Sequence, residues 1–114
     1  MTARDLQARD GQWTRAKGFD SFCPVGPCIA TDIDPNGVDI ETYLNGEKRQ
    51  ASNTKHLIFP VEDVVARVAA VMTLLPGDVV ATGTPAGIGP MRPGDKVEVR
   101  IEGIGSLKNP VIKI

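Results

Sequence analysis

Arg4, Gln7, Arg15 and Lys17 stand close together near the start of the chain, with Trp13 among them. A guanidinium fork, an amide and an ammonium are suited to holding a carboxylate or an enolate, because each supplies N–H donors to an anion. Arg4 and Gln7 are spaced so that one helical turn puts them on the same face. The same charges also suit a solvated basic face. A second stretch, Thr82-Gly83-Thr84-Pro85-Ala86-Gly87-Ile88-Gly89-Pro90-Met91-Arg92-Pro93-Gly94, fixes its backbone with glycines and prolines. It follows Asp78-Val79-Val80-Ala81, which reads as a strand. A loop of this kind either presents main-chain groups and a hydroxyl to a ligand or simply turns the chain at the surface.

Other chemistries find less support. His56 is the sole histidine, and no Ser-His-Asp or Cys-His arrangement accompanies it. Asp32, Asp34 and Asp39 lack the glycine and terminal glutamate of a calcium loop. Gly83 to Gly89 is not followed by the Gly-Lys-Ser/Thr of a phosphate loop. Cys23 and Cys28 are the only cysteines. Two thiols exclude a multi-disulfide framework, and with His56 they do not complete a zinc site, so a reducing cytoplasm is the expected compartment.

The formal charge is 13 − 14 = −1. That balance argues against general attraction to nucleic acid or to an anionic membrane. No apolar run approaches the roughly 20 residues of a membrane span. At 114 residues the chain is at most one domain. Twelve glycines and nine prolines with few aromatics point to short strands joined by defined turns.

The elements that must position these groups can be read from periodicity. Thr2 to Arg9 suits a short helical turn capped by Thr2. Cys28 to Ala30 reads as a short strand, and Asp34-Pro35-Asn36-Gly37 as a turn. Val38 to Leu44 alternates, with Val38, Ile40, Thr42 and Leu44 on one face. Asn45-Gly46 then predicts a hairpin, with a polar return strand over residues 47–52 at a sheet edge. Over residues 60–73 the period becomes helical, with Val61, Val64, Val65, Val68 and Met72 forming the stripe. Two strands, residues 96–101 and 110–114, are expected to close the chain. The fold class is mainly β (α+β), with one substantial helix.

Taken in order, these segments resemble the fumarylacetoacetate hydrolase family. The matching blocks are Thr2-Ala3-Arg4-Asp5-Leu6-Gln7, then Gln12-Trp13-Thr14-Arg15-Ala16-Lys17-Gly18-Phe19-Asp20, then Phe22-Cys23-Pro24-Val25-Gly26-Pro27. Asn45-Gly46-Glu47 with Arg49-Gln50, Met72-Thr73-Leu74-Leu75-Pro76-Gly77-Asp78 and the Thr82 to Pro90 loop follow. The chain is similar in particular to the bacterial 2-hydroxyhepta-2,4-diene-1,7-dioate isomerases and acylpyruvate hydrolases.

The resemblance implies a mixed β-roll or β-sandwich and chemistry on 2-oxo or 2,4-dioxo acids: carbon–carbon bond hydrolysis, decarboxylation or tautomerisation. It implies that Arg4 and Gln7 bind the oxo-acid end, Lys17 steadies the enolate and Thr84 holds a substrate carboxylate. Ser21 matches a position near a second ion in some relatives. The family's ion, Mg2+ or Mn2+, acts as a Lewis acid on the oxo and carboxylate oxygens. Its ligands are a Glu-x-Glu pair and an aspartate placed ahead of the Thr2 block. None of these lies in residues 1–114, and Glu41, Glu47 and Glu62 do not sit in those contexts. Residues 1–114 are therefore expected to be the C-terminal half of a catalytic domain, through a truncated gene, a misassigned start or proteolysis. No metal and negligible turnover are expected of this chain alone. Strand edges left open by the missing half predict a homo-oligomer. The alternative is a non-catalytic remnant that serves as a structural or oligomerising module.

Overall fold

The structure is a computed structural model that describes residues 1–113. Its centre is a four-stranded antiparallel sheet in the order β2-β1-β3-β4. The strands are β1 (Asp39–Leu44), β2 (Glu47–Asn53), β3 (Lys96–Ile101) and β4 (Gly105–Pro110). Two short helices precede it, α1 (Arg4–Arg9) and α2 (Thr14–Lys17), and α3 (Val61–Ala69) lies between β2 and β3 in the chain. No helix among the described residues is long and apolar enough to cross a membrane.

The β1–β2 hairpin forms where Asn45-Gly46 predicts it. Both residues have positive φ, 54° and 86°, the pair of values that a tight type I′ turn needs. Asn45 also ties this turn to the start of β3. Its side-chain carbonyl accepts the Lys96 amide at 2.8 Å, and its NH2 donates to Asp95 at 2.8 Å. The return strand is an edge strand, as its polarity suggests.

One irregularity interrupts the β1–β2 ladder. The β1–β2 register pairs Thr42 with Gln50 but Tyr43 with Lys48, so Arg49 is the extra residue of a β-bulge. Side chains two apart on a regular strand share a face. The bulge breaks that rule, so Lys48 reaches Glu41 on one face of the sheet while Gln50 falls on the Ile40 and Thr42 face.

Several expected elements are absent or displaced. Residues 28–30 and 78–81 form no strand, because neither segment has a partner ladder among the described residues. Without paired backbone groups an apolar run is only extended chain. The last strand is residues 105–110, not 110–114, and Pro110 ends it instead of opening it. Ile114 lies outside the described residues. Helix α1 is capped by Ala3, not Thr2, and no side chain caps it.

Helix α3 ends at Ala69, four residues short of the expected stretch, and Met72 lies beyond it, exposed. Its first turn is closed from a distance. Asn36 accepts the Val61 amide at 2.9 Å through Oδ1 and donates to Glu62 at 2.8 Å through Nδ2. The 34–37 turn thus supplies the cap that Pro60 cannot.

Packing is open. Ala16 is the one fully buried apolar residue among those described, and no large side chain is fully buried. Ile58 is 91 % exposed and Ile29 87 %. The accessible surface is 8793 Å², whereas a compact monomer of this size exposes about 6,100 Å². The radius of gyration is 15.2 Å, against about 13 Å for a compact chain of this length. Both measures describe a chain more open than a compact monomer of its length.

Candidate anion-binding site

Helices α1 and α2 pack as a pair, joined by the Ala3 amide to the Ala16 carbonyl at 3.0 Å. On α1, Arg4 Nη1 donates to Gln7 Oε1 at 2.6 Å, which confirms the shared face. The bond takes one of the two lone pairs of the Gln7 carbonyl oxygen. The Gln7 NH2 and the rest of the guanidinium remain as donors. Such an edge favours an anion. Lys17 ends α2 with its ammonium 5.9 Å from the Trp13 ring centroid, a distance compatible with cation–π attraction.

Arg15 separates from this group. It makes a two-pronged ion pair with Asp10, at 2.8 and 2.7 Å. The Arg15 hydrogen bond holds the Asp10 carboxyl below its ordinary range, and the same bond raises Arg15. Arg15 is thus spent on structure.

Thr84 lies elsewhere in the chain, in an extended loop laid against β2. Gln50 holds it there: its Nε2 donates to Thr84 Oγ1 at 3.0 Å and to the Pro85 carbonyl at 2.8 Å. Gly87, at φ 101°, passes so close to the Arg49 backbone that a Cβ would fall against the Arg49 carbonyl. A Cβ on Gly89 would come within 3.1 Å of Arg49 Nη2. The loop therefore docks on the bulge itself. A cleft of about 430 Å³ opens here, with Thr84, Thr82, His56 and Ile40 in its wall. The larger concavity, about 690 Å³, lies at the far end of the sheet around Lys96 and Lys108 and contains none of the selected residues.

The structure brings Arg4, Gln7 and Lys17 onto one helical pair. Among the described residues no hydrogen bond links that pair to Thr84. Ser21 has a positive φ of 63° in the loop after α2. His56 ends a single 3-10 turn, exposed. Cys23 and Cys28 are free and exposed. Gln50 is the functional candidate that residue types alone do not reveal, since its sequence neighbours read as a polar edge. Only the bulge, which is invisible to periodicity, turns it toward the loop.

The opposite face of the sheet is a closed polar ladder. Lys48 pairs with Glu41, and Tyr43 donates its hydroxyl to Glu41 at 2.7 Å. The Arg100 guanidinium sits 4.2 Å from the Tyr43 ring centroid and donates to Glu98 at 2.8 and 3.2 Å. The Arg100 hydrogen bond leads in holding the Glu98 carboxyl down to about 2, with Ser106 and Lys108 assisting against partial desolvation. No three His, Cys, Asp or Glu side chains gather among the described residues where they could hold a metal ion. A hard divalent ion takes several oxygen ligands, so the described residues do not fit one.

The model of the fumarylacetoacetate hydrolase C-terminal family matches residues 1–112. An uncharacterized protein of Methanocaldococcus jannaschii is 60 % identical over 111 residues, covering 97 % of this chain and 47 % of its own length. The chain thus spans about half the length of the curated relatives it matches. The crystal structure of a 2-hydroxyhepta-2,4-diene-1,7-dioate isomerase from Mycobacterium marinum superposes with a TM-score of 0.95 at 56 % identity, over 97 % of this chain and 44 % of that one. A maleylpyruvate hydrolase from Sphingobium sp. SYK-6, solved with manganese(II) and pyruvate, gives a TM-score of 0.83 at 40 % identity, over 90 % of this chain and 39 % of that one.

Proposed function

The chain belongs to the fumarylacetoacetate hydrolase family, whose members include hydrolases and isomerases, and we propose that it forms the oxo-acid-holding half of such an enzyme. The observation that carries this reading is the Arg4–Gln7 pair on α1 with Lys17 on the adjoining α2. Arg4 holds the Gln7 carbonyl oxygen, and the remaining N–H groups of the pair are offered to a 2-oxo acid or 2,4-dioxo acid. Lys17, on the adjoining helix, stabilises negative charge as it develops on the enolate oxygen. Thr84 donates its hydroxyl to the substrate carboxylate. The reaction is carbon–carbon bond hydrolysis, decarboxylation or tautomerisation, since all three pass through such an enolate.

A divalent ion, Mg2+ or Mn2+, belongs to the complete enzyme, and the manganese-bound neighbour supports that choice. Its carboxylate ligands come from residues outside the described set. The same outside segment adds a second layer to the sheet and completes the β-roll or β-sandwich. The working form is a cytoplasmic homo-oligomer with a small-molecule substrate and no part for nucleic acid or membrane. The test is kinetic. In the protein at the length of its relatives, Lys17→Ala should lower kcat on an acylpyruvate about 100-fold, in the range of a lost charge-stabilising donor, with the melting temperature kept. Unchanged turnover refutes the assignment.

A second reading rests on the open surface. The chain exposes some 2,700 Å² more than a compact monomer would, by subtraction of about 6,100 from 8793 Å². That excess supports a non-catalytic structural or oligomerising module. Oxalate resembles the enolate of pyruvate and separates the two readings, because only an oxo-acid site retains it.

A further inference from the structure

Gln50 makes two hydrogen bonds to a loop far away in sequence, and their chemistry is directional. The Pro85 carbonyl can only accept, so the group that faces it at 2.8 Å is the Gln50 NH2. The same nitrogen lies 3.0 Å from Thr84 Oγ1 and, bearing two hydrogens and no available lone pair, can only donate to it. The Thr84 oxygen is therefore an acceptor toward Gln50, and its own hydrogen is left to donate elsewhere. A hydroxyl that already accepts a hydrogen bond is also the better donor, because the two bonds polarise each other.

The bulge is what makes this possible. With regular alternation, Gln50 would share a face with Lys48 and lie on the Glu41 ladder. The extra residue, Arg49, places it opposite Thr42 on the other face. The loop meets the same point, with Gly87 against the Arg49 backbone. Bulge, glycine and amide converge on one short segment.

We propose that Gln50 is a positioning residue that fixes the Thr82–Pro85 loop on β2 and commits the Thr84 hydroxyl to donate to a substrate carboxylate. This rests on the oxo-acid reading of Thr84 given above. Gln50 itself does not touch substrate. A glutamate at this position would present oxygens to the Pro85 carbonyl, and would take the Thr84 hydrogen for itself. A methionine would make neither bond.

The test is a double-mutant cycle in the Mn2+-loaded protein at the length of its relatives, with sodium oxalate affinity read by calorimetry. Thr84→Val, Gln50→Glu and Gln50→Met should each weaken oxalate about tenfold, the usual loss for one hydrogen bond to a charged group. Gln50→Met combined with Thr84→Val should be no weaker than Thr84→Val alone, since both act through one hydroxyl. A purely structural Gln50 would instead add its loss to that of Thr84→Val, and that result overturns the proposal. Unchanged oxalate binding in Gln50→Met, with Thr84→Val weakened, overturns the proposal and leaves the site assignment standing. Unchanged binding in Thr84→Val removes the site assignment and the proposal together. Should the Gln50 variants fail to fold, the unsubstituted protein still decides. A nuclear Overhauser contact between the Gln50 side-chain amide and the Thr84 methyl is expected, and its absence overturns the proposal.

Discussion

The two faces of the sheet end in opposite states. On one, Lys48, Glu41, Tyr43, Arg100, Glu98 and Lys108 satisfy one another across all four strands. On the other, Ile40, Thr42, Leu44, Val97, Val99 and Ile101 are only half-buried, and the Thr82–Pro85 loop, held by Gln50, lies along one side. A charged ladder that closes on itself needs nothing beyond water. An apolar face that the described residues cover only in part leaves further burial to be gained, at roughly 25 cal/mol per Å². The polar side chains of this chain pair with one another at one surface, whereas the apolar side chains at the other are only half-buried. Under the proposed function, substrate-holding groups and missing cover belong to the same side of the problem.

The comparison can be broken hardest at the open face. Under the proposed function a covering layer lies over Val99, and Val99→Asp places a carboxylate beneath it. Burying that charge without a partner should weaken association roughly 100-fold or more, read as a shift to monomer in sedimentation velocity. An unchanged assembly would mean that this face is not the one covered. Gly87→Ala comes next. It puts a Cβ at φ 101° against the Arg49 backbone, a strain on the order of 1–3 kcal/mol. The melting temperature should fall by several degrees, with the loop displaced from β2. A variant as stable as the parent would show that the loop does not depend on that contact.

The smallest effect is expected at the closed face. Glu98 is held at about 2 against an ordinary 4.5, chiefly by Arg100. The folded value lies below the unfolded one, so the stabilisation is full above pH 4.5 and is lost as pH falls toward 2. Carboxyl carbon shifts followed by NMR should show Glu98 titrating near 2, and higher in Arg100→Gln, where Ser106 and Lys108 alone hold it down. The side chains are exposed and screened, so the accompanying loss of stability should be slight. A Glu98 that titrates normally in the unsubstituted protein would contradict the ladder.

Much of the sheet was legible in the sequence. Alternation from Val38 to Leu44, the Asn45-Gly46 turn and the Val-rich run at 96–101 are local signals, and they survive in the fold. The Arg4–Gln7 pair was legible for the same reason, since helical spacing alone sets it. What was not legible depends on partners. Residues 28–30 and 78–81 have strand-like composition but no ladder. Gly105 to Pro110 has poor strand composition and pairs nonetheless, because β3 offers an edge. The cap of α3 by Asn36 comes from a separate turn. The Arg49 bulge, which turns Gln50 toward Thr84, leaves no mark in a period-two pattern.

Under the proposed function, Arg4, Gln7, Lys17 and Thr84 form an anion-holding half whose metal-gripping carboxylates lie elsewhere. Isothermal titration of Mn2+ followed by oxalate tests it directly, on the 114-residue chain and on the protein at the length of its relatives. Tight Mn2+ and Mn2+-dependent oxalate binding is expected for the longer protein, and none for the shorter chain. Mn2+ and oxalate bound stoichiometrically by the 114 residues alone, or by neither protein, would contradict it.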